Sequence, residues 1–536
     1  MRGEMTTVAA RLRRLRVDIS EPGGPGLGSR TLLAALAVGF VLLGGGSLDL
    51  GPGEARLGLA AGDAVGPLGR VFGGWDPGLL PGRVLPSQLW AWGEGTFPTS
   101  ASVRWPEAIA AVLIGLIVAR RVGRGLGPRA GVLTGLALFG SVALIDRSAA
   151  GGVDWLAGLG VVAALDRILG TRSDAVAGLW AAFALLAGGW PALVAIVLPV
   201  VVLGRPGRTL SAPLLVPPLI ALIGWSAWAL SAGRAEAWGA ALALPLTRKP
   251  CWWLPLAALG LGLPWSPLAA LAAWRPVRAG WPAPGRALVL GWLQVSGASV
   301  LAGTLIPGLA AAARMPALVG LAVTAAAVGD RFWADGQRLP VGARRAFLGL
   351  ALALALIWAL IVAPAGGYLA AAVSYYRPAS ILLIGLALGT ALAAVASARA
   401  RNPRGAIGAL VAVAVGLKLA HAGVYVPEWN YRSSQGPWGR AIGQWVPPTW
   451  PIYTVHTWPA DLAFATGHPV RQLPNEKSLG FEPTARPLFV LLHPAEFEHW
   501  PASAPALIPV RSFEDQHGGR RILARTPGAI RIRDEE

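Results

Sequence analysis

Acids are scarce in this sequence, with 27 Asp and Glu among 536 residues. A carboxylate at the centre of a bilayer costs roughly 2.5–3.5 kcal/mol on insertion scales, so each acid beside an apolar run is a candidate for function. Two groups stand out. Asp49 and Glu54 follow the first long apolar run, with Arg56 two residues further on. Asp146, Arg147 and Asp154 lie between the third and fourth runs. A carboxylate at such a position could act as general base toward an acceptor hydroxyl or amine. Arginines beside it could hold a phosphate through charge-assisted hydrogen bonds. The plainer alternative is that these acids solvate helix ends and pair with arginine.

The elements that must position these residues are set by composition. The chain is 54% hydrophobic and 14% charged, against about 25% charged in soluble domains. That balance predicts a polytopic α-helical membrane protein. The net charge of +19 could reflect nucleic acid, but the arginines fall between apolar runs rather than in one block, which fits membrane topology and argues for no nucleic-acid partner. Cys251 is the only cysteine, so no intrachain disulfide forms and a Cys/His zinc site is not expected. No metal ligands and no cofactor are assigned, and a divalent metal requirement is left open.

Apolar runs of span length lie near 31–49, 106–124, 127–145, 151–169, 173–189, 191–204, 212–232, 252–273, 286–307, 309–329, 346–366, 378–398 and 405–425. About 13 transmembrane helices are therefore expected. Arg11, Arg13, Arg14 and Arg16 precede the first run, which reads as an uncleaved span. Placing these arginines in the cytoplasm and alternating makes every inner loop basic, from Arg120, Arg121, Arg124 and Arg129 through to Arg399, Arg401 and Arg404. Dropping one span would invert the downstream half and break the pattern. Residues 1–30 are then cytoplasmic, 31–425 form the transmembrane domain with a first outer loop at 50–105, and 426–536 form an extracytoplasmic soluble domain. Amphipathic helices on the outer leaflet are expected in the first outer loop. In the tail, "PIYTVHTW", "RPLFVLLHP" and "RRILART" read as short strands of a small α/β domain.

Most of the 24 tryptophans suit an interfacial belt, while Trp75, Trp90 and Trp155 could stack on a sugar or prenyl chain. All six histidines lie from His421 onward, and His456, His468 and His493 lack metal-ligand spacing. Lys418 and His421 share one helical face at i, i+3, where they could snorkel or contact a phosphate. Gly123, Gly125 and Gly127 follow no strand and do not form a nucleotide loop.

This layout resembles the polytopic C-type glycosyltransferases, nearest to the protein O-mannosyltransferases and the bacterial lipid A aminoarabinose transferases. The local matches are "RKPCWWLPLAALGLGLPWSPL", "GPGEARLGLAAGDAV", "PGRVLPSQLWAW", "DRSAAGGVDWLAGL" and the second and third spans over 102–138. The resemblance implies transfer of a sugar from a polyprenyl-phosphate lipid to a lipid, glycan or protein acceptor, on the outer face of the inner membrane. It implies Glu54, Asp49 and Asp154 as catalytic candidates. It implies Arg56, Arg147, Arg248 and Lys249 as donor-phosphate ligands. The family's first-loop aspartate, however, falls on Gly53, and its following tyrosine on Leu57. Either a neighbouring acid replaces the base, or other residues serve a different donor, or the fold is kept by a catalytically silent lipid-binding or assembly subunit. A transporter ranks lower, because no related halves are visible.

Overall fold

The computed structural model describes residues 100–527 apart from 146–154, 171–173, 204–210, 232–249, 433, 448–449, 456–457, 482–485 and 515–518. The described residues divide into two compact units, a helical one running from Trp105 to Tyr425 and a mixed one from Val426 onward that also takes in residues 100–104.

The helical unit opens with α1 (Ser100–Leu126), from its sixth residue, Trp105, onward, and α2 (Pro128–Phe139). Gly127 between them has φ 115°, a backbone that glycine adopts without steric cost, and Pro128 then starts α2 where no backbone donor is needed. Next come α3 (Trp155–Leu169) and α4 (Asp174–Leu203). Helix α4 is broken at Gly189 (φ 66°, ψ −162°). A Cβ on Gly188 would lie 2.8 Å from the Cβ of Ala192, whereas i, i+4 Cβ atoms of an intact helix are about 5–6 Å apart. The chain therefore bends sharply at Gly188-Gly189-Trp190-Pro191, the junction between the runs at 173–189 and 191–204.

Helix α5 (Ala212–Ser231) follows. The run at 252–273, expected as one span, is instead an elbow: α6 (Leu254–Leu261) and α7 (Ser266–Ala273) meet at 108°. Proline explains the elbow. Pro264 and Pro267 remove backbone donors between the two halves. The freed groups find partners, since Val142 N donates to Leu263 O at 3.1 Å and Ser266 Oγ donates to Leu259 O at 2.5 Å.

Five long helices complete the unit: α8 (Ala283–Leu305), α9 (Ala310–Asp335), α10 (Val341–Ala372), α11 (Arg377–Arg399) and α12 (Pro403–Ala420). Helix α9 is central, with Leu318, Val319, Val323, Val328 and Phe332 fully buried. Small residues allow close approach: a Cβ on Gly160 of α3 would sit 2.7 Å from Ala184 N of α4, and one on Gly125 would sit 3.3 Å from Gly285 Cα of α8. Large apolar side chains cover the outside, including Ile220, Leu360, Ile361 and Leu392. Among the described residues, six helices are long and apolar enough to cross a membrane, or seven if the elbow is one span. The run at 31–49 lies outside the described residues. The protein is a mostly helical, polytopic membrane protein with a small mixed sheet.

The basic turns gather at one end of this unit. Arg121 of α1 reaches Asp166 of α3 at 3.7 Å, and Arg129 of α2 reaches Asp330 of α9 at 2.5 Å. Gly280 lies against the Arg331 guanidinium, and Gly336 against Pro403. Residues far apart in sequence thus share one arginine-rich end.

In the second unit a five-stranded sheet has the order β2-β1-β3-β5-β4. Its strands are β1 (Ile452–Thr454), β2 (Val470–Gln472), β3 (Phe489–Leu492), β4 (Ile508–Glu514) and β5 (Arg520–Arg525). Strand β1 pairs in parallel with β2 and β3, and β5 runs antiparallel to β3 and β4. Alternation along β3 sends Phe489 and Leu491 into one cluster with Ile442 and Leu462, and Val490 and Leu492 into another with Tyr453 and Leu479. Both faces of the sheet are therefore covered.

Candidate functional site

The seven residues singled out by sequence all lie outside the described residues. Asp49, Glu54 and Arg56 precede residue 100, Arg147 and Asp154 fall in 146–154, and Arg248 and Lys249 fall in 232–249. The described chain resumes beside them, at Trp155 and at Pro250. Both points belong to the end of the helical unit opposite the arginine-rich turns, and the polar groups there define the candidate site.

Glu107, near the start of α1, accepts a hydrogen bond from Leu156 N at 3.0 Å. Leu156 is the second residue of α3, so this carboxylate satisfies an otherwise open amide and complements the positive end of the helix. Trp155 beside it is only 5% exposed and belongs to the main core. Its ring is packing, not a surface on which a sugar could stack. Gly158, one turn on, abuts Met315 of α9, where a Cβ would meet the methionine Cε at 2.7 Å.

The second approach comes through "PCWWLP". Cys251 N donates to Thr304 O at 2.9 Å, tying this segment to the end of α8. Leu254 is buried against Ala310 and Ala313 of α9. Trp252 and Trp253 remain exposed, and the Arg314 guanidinium carbon stands 5.6 Å from the Trp253 ring centroid, a cation–π geometry. Sequence reasoning passed over Arg314. Its signal was isolation: it is the sole charged residue between Arg286 and Asp330.

The third contribution is the end of α12. Ala414 packs on Gly140, and Lys418, one turn further on the same face, is 3% exposed. The next residues, His421–Tyr425, form a π-turn, a distortion frequent at functional sites. Within it the His421 and Tyr425 rings stack at 5.2 Å and 23°. Two cations, Arg314 and Lys418, thus sit at the end from which the Arg147–Asp154 and Arg248–Lys249 stretches emerge. Chemically, such an end suits an anion and an apolar tail together.

The histidines of the second unit have structural partners. His468 is buried, with its ring nitrogens 3.1 and 3.0 Å from Trp450 O and Gly443 O. His493 stacks on Trp458 at 5.4 Å and contacts Arg521 at 3.0 Å. His456 lies outside the described residues. Among the described residues, no group of three His, Cys, Asp or Glu could hold a metal ion.

No protein-family model matches the chain, and no curated protein does. Among solved structures, ArnT from Cupriavidus metallidurans in the apo state matches with a TM-score of 0.67 and 17% identity, covering 93% of this chain and 98% of that one. The same protein bound to undecaprenyl phosphate matches with a TM-score of 0.71, at the same identity and coverage. An identity this low speaks of fold, and the coverage extends the likeness over nearly all of both chains. The resemblance to the C-type transferases is thereby borne out: the chain has the fold of ArnT, a lipid A aminoarabinose transferase.

Proposed function

We propose that this protein is a membrane glycosyltransferase that takes a sugar from a polyprenyl-phosphate lipid at the outer face of the bacterial inner membrane. The observation that carries the reading is the full-length likeness to ArnT in its undecaprenyl-phosphate complex. With the expected odd number of spans, the C-terminal domain, 426–536, lies outside. The transfer is inverting. Glu54 or Asp49 takes the proton of the acceptor hydroxyl or amine as it attacks the anomeric carbon, and the bond to the lipid phosphate breaks. Arg56, Arg147, Arg248 and Lys249 hold that phosphate, and Asp154 supports the site. Arg314 and Lys418 add to the positive charge of the same end, which favours the phosphate leaving group.

The test is transfer from a polyprenyl-phosphate sugar by the purified protein, with Glu54→Gln and Asp154→Asn variants. Removing a general base lowers the rate by about 10²–10⁴-fold, while insertion and thermal midpoint stay as in the parent. Full activity in both variants overturns the assignment. Gly53, standing where the family carries its aspartate, favours a second reading: a catalytically silent subunit that binds the lipid or aids assembly. Retained binding of polyprenyl phosphate with no turnover of any donor would select it.

A further inference from the structure

At the arginine-rich end of the helical unit, the α9–α10 turn and the turn leading into α12 enclose a cavity of about 460 Å³. Trp333, Asp335, Gln337, Arg338, Asn402 and Arg404 line it. Its walls are braced. Gln337 Nε2 donates to Arg401 O at 3.2 Å, Arg404 Nε to Trp333 O at 3.3 Å, and Arg344 Nη1 to Gln337 Oε1 at 2.7 Å. Asn402 caps α12, its side chain accepting from Arg404 N at 3.2 Å. The pocket is thus built into the turns and does not depend on loose loops closing over it.

Its charge is one-sided. Residues 330–345 and 399–404 hold seven arginines and two aspartates. Both aspartates are engaged: Asp330 with Arg129, and Asp335 with Arg331 and, at 3.9 Å, Arg338. The Arg338 side chain is 87% exposed. The first residues of α12, an 18-residue helix, form part of the wall and add the partial positive charge of a helix N-terminus. Beside the pocket, α10 begins with the exposed Val341, and its outer face is apolar further along, at Leu356 and Leu360, about 22 and 28 Å from the helix start. A polar, cationic cavity therefore lies at the end of a helix whose outer face is apolar.

We propose that this cavity binds the phosphate-bearing headgroup of an anionic phospholipid, drawn from the leaflet at the arginine-rich end. Arg338 and Arg404 are its cationic contacts, and the start of α12 faces the phosphate. Basic pockets between spans on the cytoplasmic side are suited to such headgroups. The inference rests on the membrane reading of this unit and not on sugar transfer, so a silent protein would keep the site. A zwitterionic headgroup brings an extra cation into a pocket that already has an excess of positive charge, which sets the selectivity.

The test titrates the detergent-solubilised full-length protein with phosphatidylglycerol or phosphatidylcholine and reads bound lipid by native mass spectrometry. Phosphatidylglycerol binds in preference to phosphatidylcholine. Arg338→Gln with Arg404→Gln weakens that binding roughly thirtyfold, from about a fivefold contribution per arginine. Arg345→Gln with Arg399→Gln removes equal charge from exposed residues outside the pocket and leaves binding within about twofold of the parent. Equal loss in both double variants, or no loss in the first while its thermal midpoint is unchanged, overturns the site. Should inorganic phosphate saturate the pocket while phosphatidylglycerol does not register, the ligand is a soluble anion and the lipid assignment falls.

Discussion

Glu107 separates two roles that a scarce acid can play in a membrane protein. Its carboxylate meets a backbone amide 49 residues away, at the start of α3. A structural carboxylate of this kind predicts a specific pair of outcomes. Glu107→Gln keeps an acceptor for Leu156 N but loses the charge facing the helix end, so stability falls by about 0.3–1 kcal/mol. Glu107→Ala loses the acceptor too and falls by roughly 1–3 kcal/mol. Both keep binding of polyprenyl phosphate, read beside the thermal midpoint in detergent. Loss of lipid binding in Glu107→Gln at unchanged stability would move this residue into the site. The contact of Glu107 was not legible in the sequence, because spacing along a chain does not reveal a contact between two helix starts. Trp155 failed in the opposite direction. It carries the residue type suited to stacking, yet its place on α3 buries it against the core. Arg314 was legible in principle, since an isolated charge in a long apolar stretch needs a reason.

Elements were read well where one periodicity covers them and poorly where a break hides in apolar sequence. The long helices α8 to α12 follow the apolar runs within a few residues, because span length and flanking arginines fix both ends. The elbow at 261–266 was read through, although Pro264 and Pro267 mark it, because its composition stays apolar across the bend. In the sheet, β1, β3 and β5 carry apolar residues bounded by Pro or Gly and were recognised. Strands β2 and β4 are edge strands with mostly exposed residues, so no buried alternation announces them. Contacts between elements were not legible at all. Arg129 and Asp330 lie 201 residues apart and join α2 to α9 at 2.5 Å, with side chains 29% and 18% exposed. Arg129→Ala or Asp330→Ala leaves one partly buried charge behind and lowers stability by roughly 1–3 kcal/mol, less than a fully buried pair would lose. Exchanging the two, Arg129→Asp with Asp330→Arg, recovers part of that loss in a thermal melt. If the exchange is as unstable as the sum of the single variants, the pair does not couple these helices.

At the scale of the whole molecule, sidedness follows from where the arginines collect. The turns carrying Arg121, Arg129, Arg331 and Arg404 meet at one end of the helical unit. Alternating spans would spread those turns over both ends if the order of crossings were wrong. The positive-inside rule predicts that this end faces the cytoplasm, and on that proposal Cys251 and the Arg314–Trp253 contact are on the outer side. The proposed odd span count would carry the C-terminal unit outward as well. Cys251 is the sole cysteine, so a Cys251→Ser background accepts single reporters without interference. Arg345→Cys, at an exposed position of the arginine-rich end, stays unlabelled by a membrane-impermeant maleimide in intact spheroplasts and reacts after lysis. His499→Cys, exposed in the C-terminal unit, reacts in both. Labelling of Arg345→Cys in intact spheroplasts inverts the topology and removes the outer-face site. Labelling of neither reporter before lysis makes the count even, and places the sheet on the same side as the arginines.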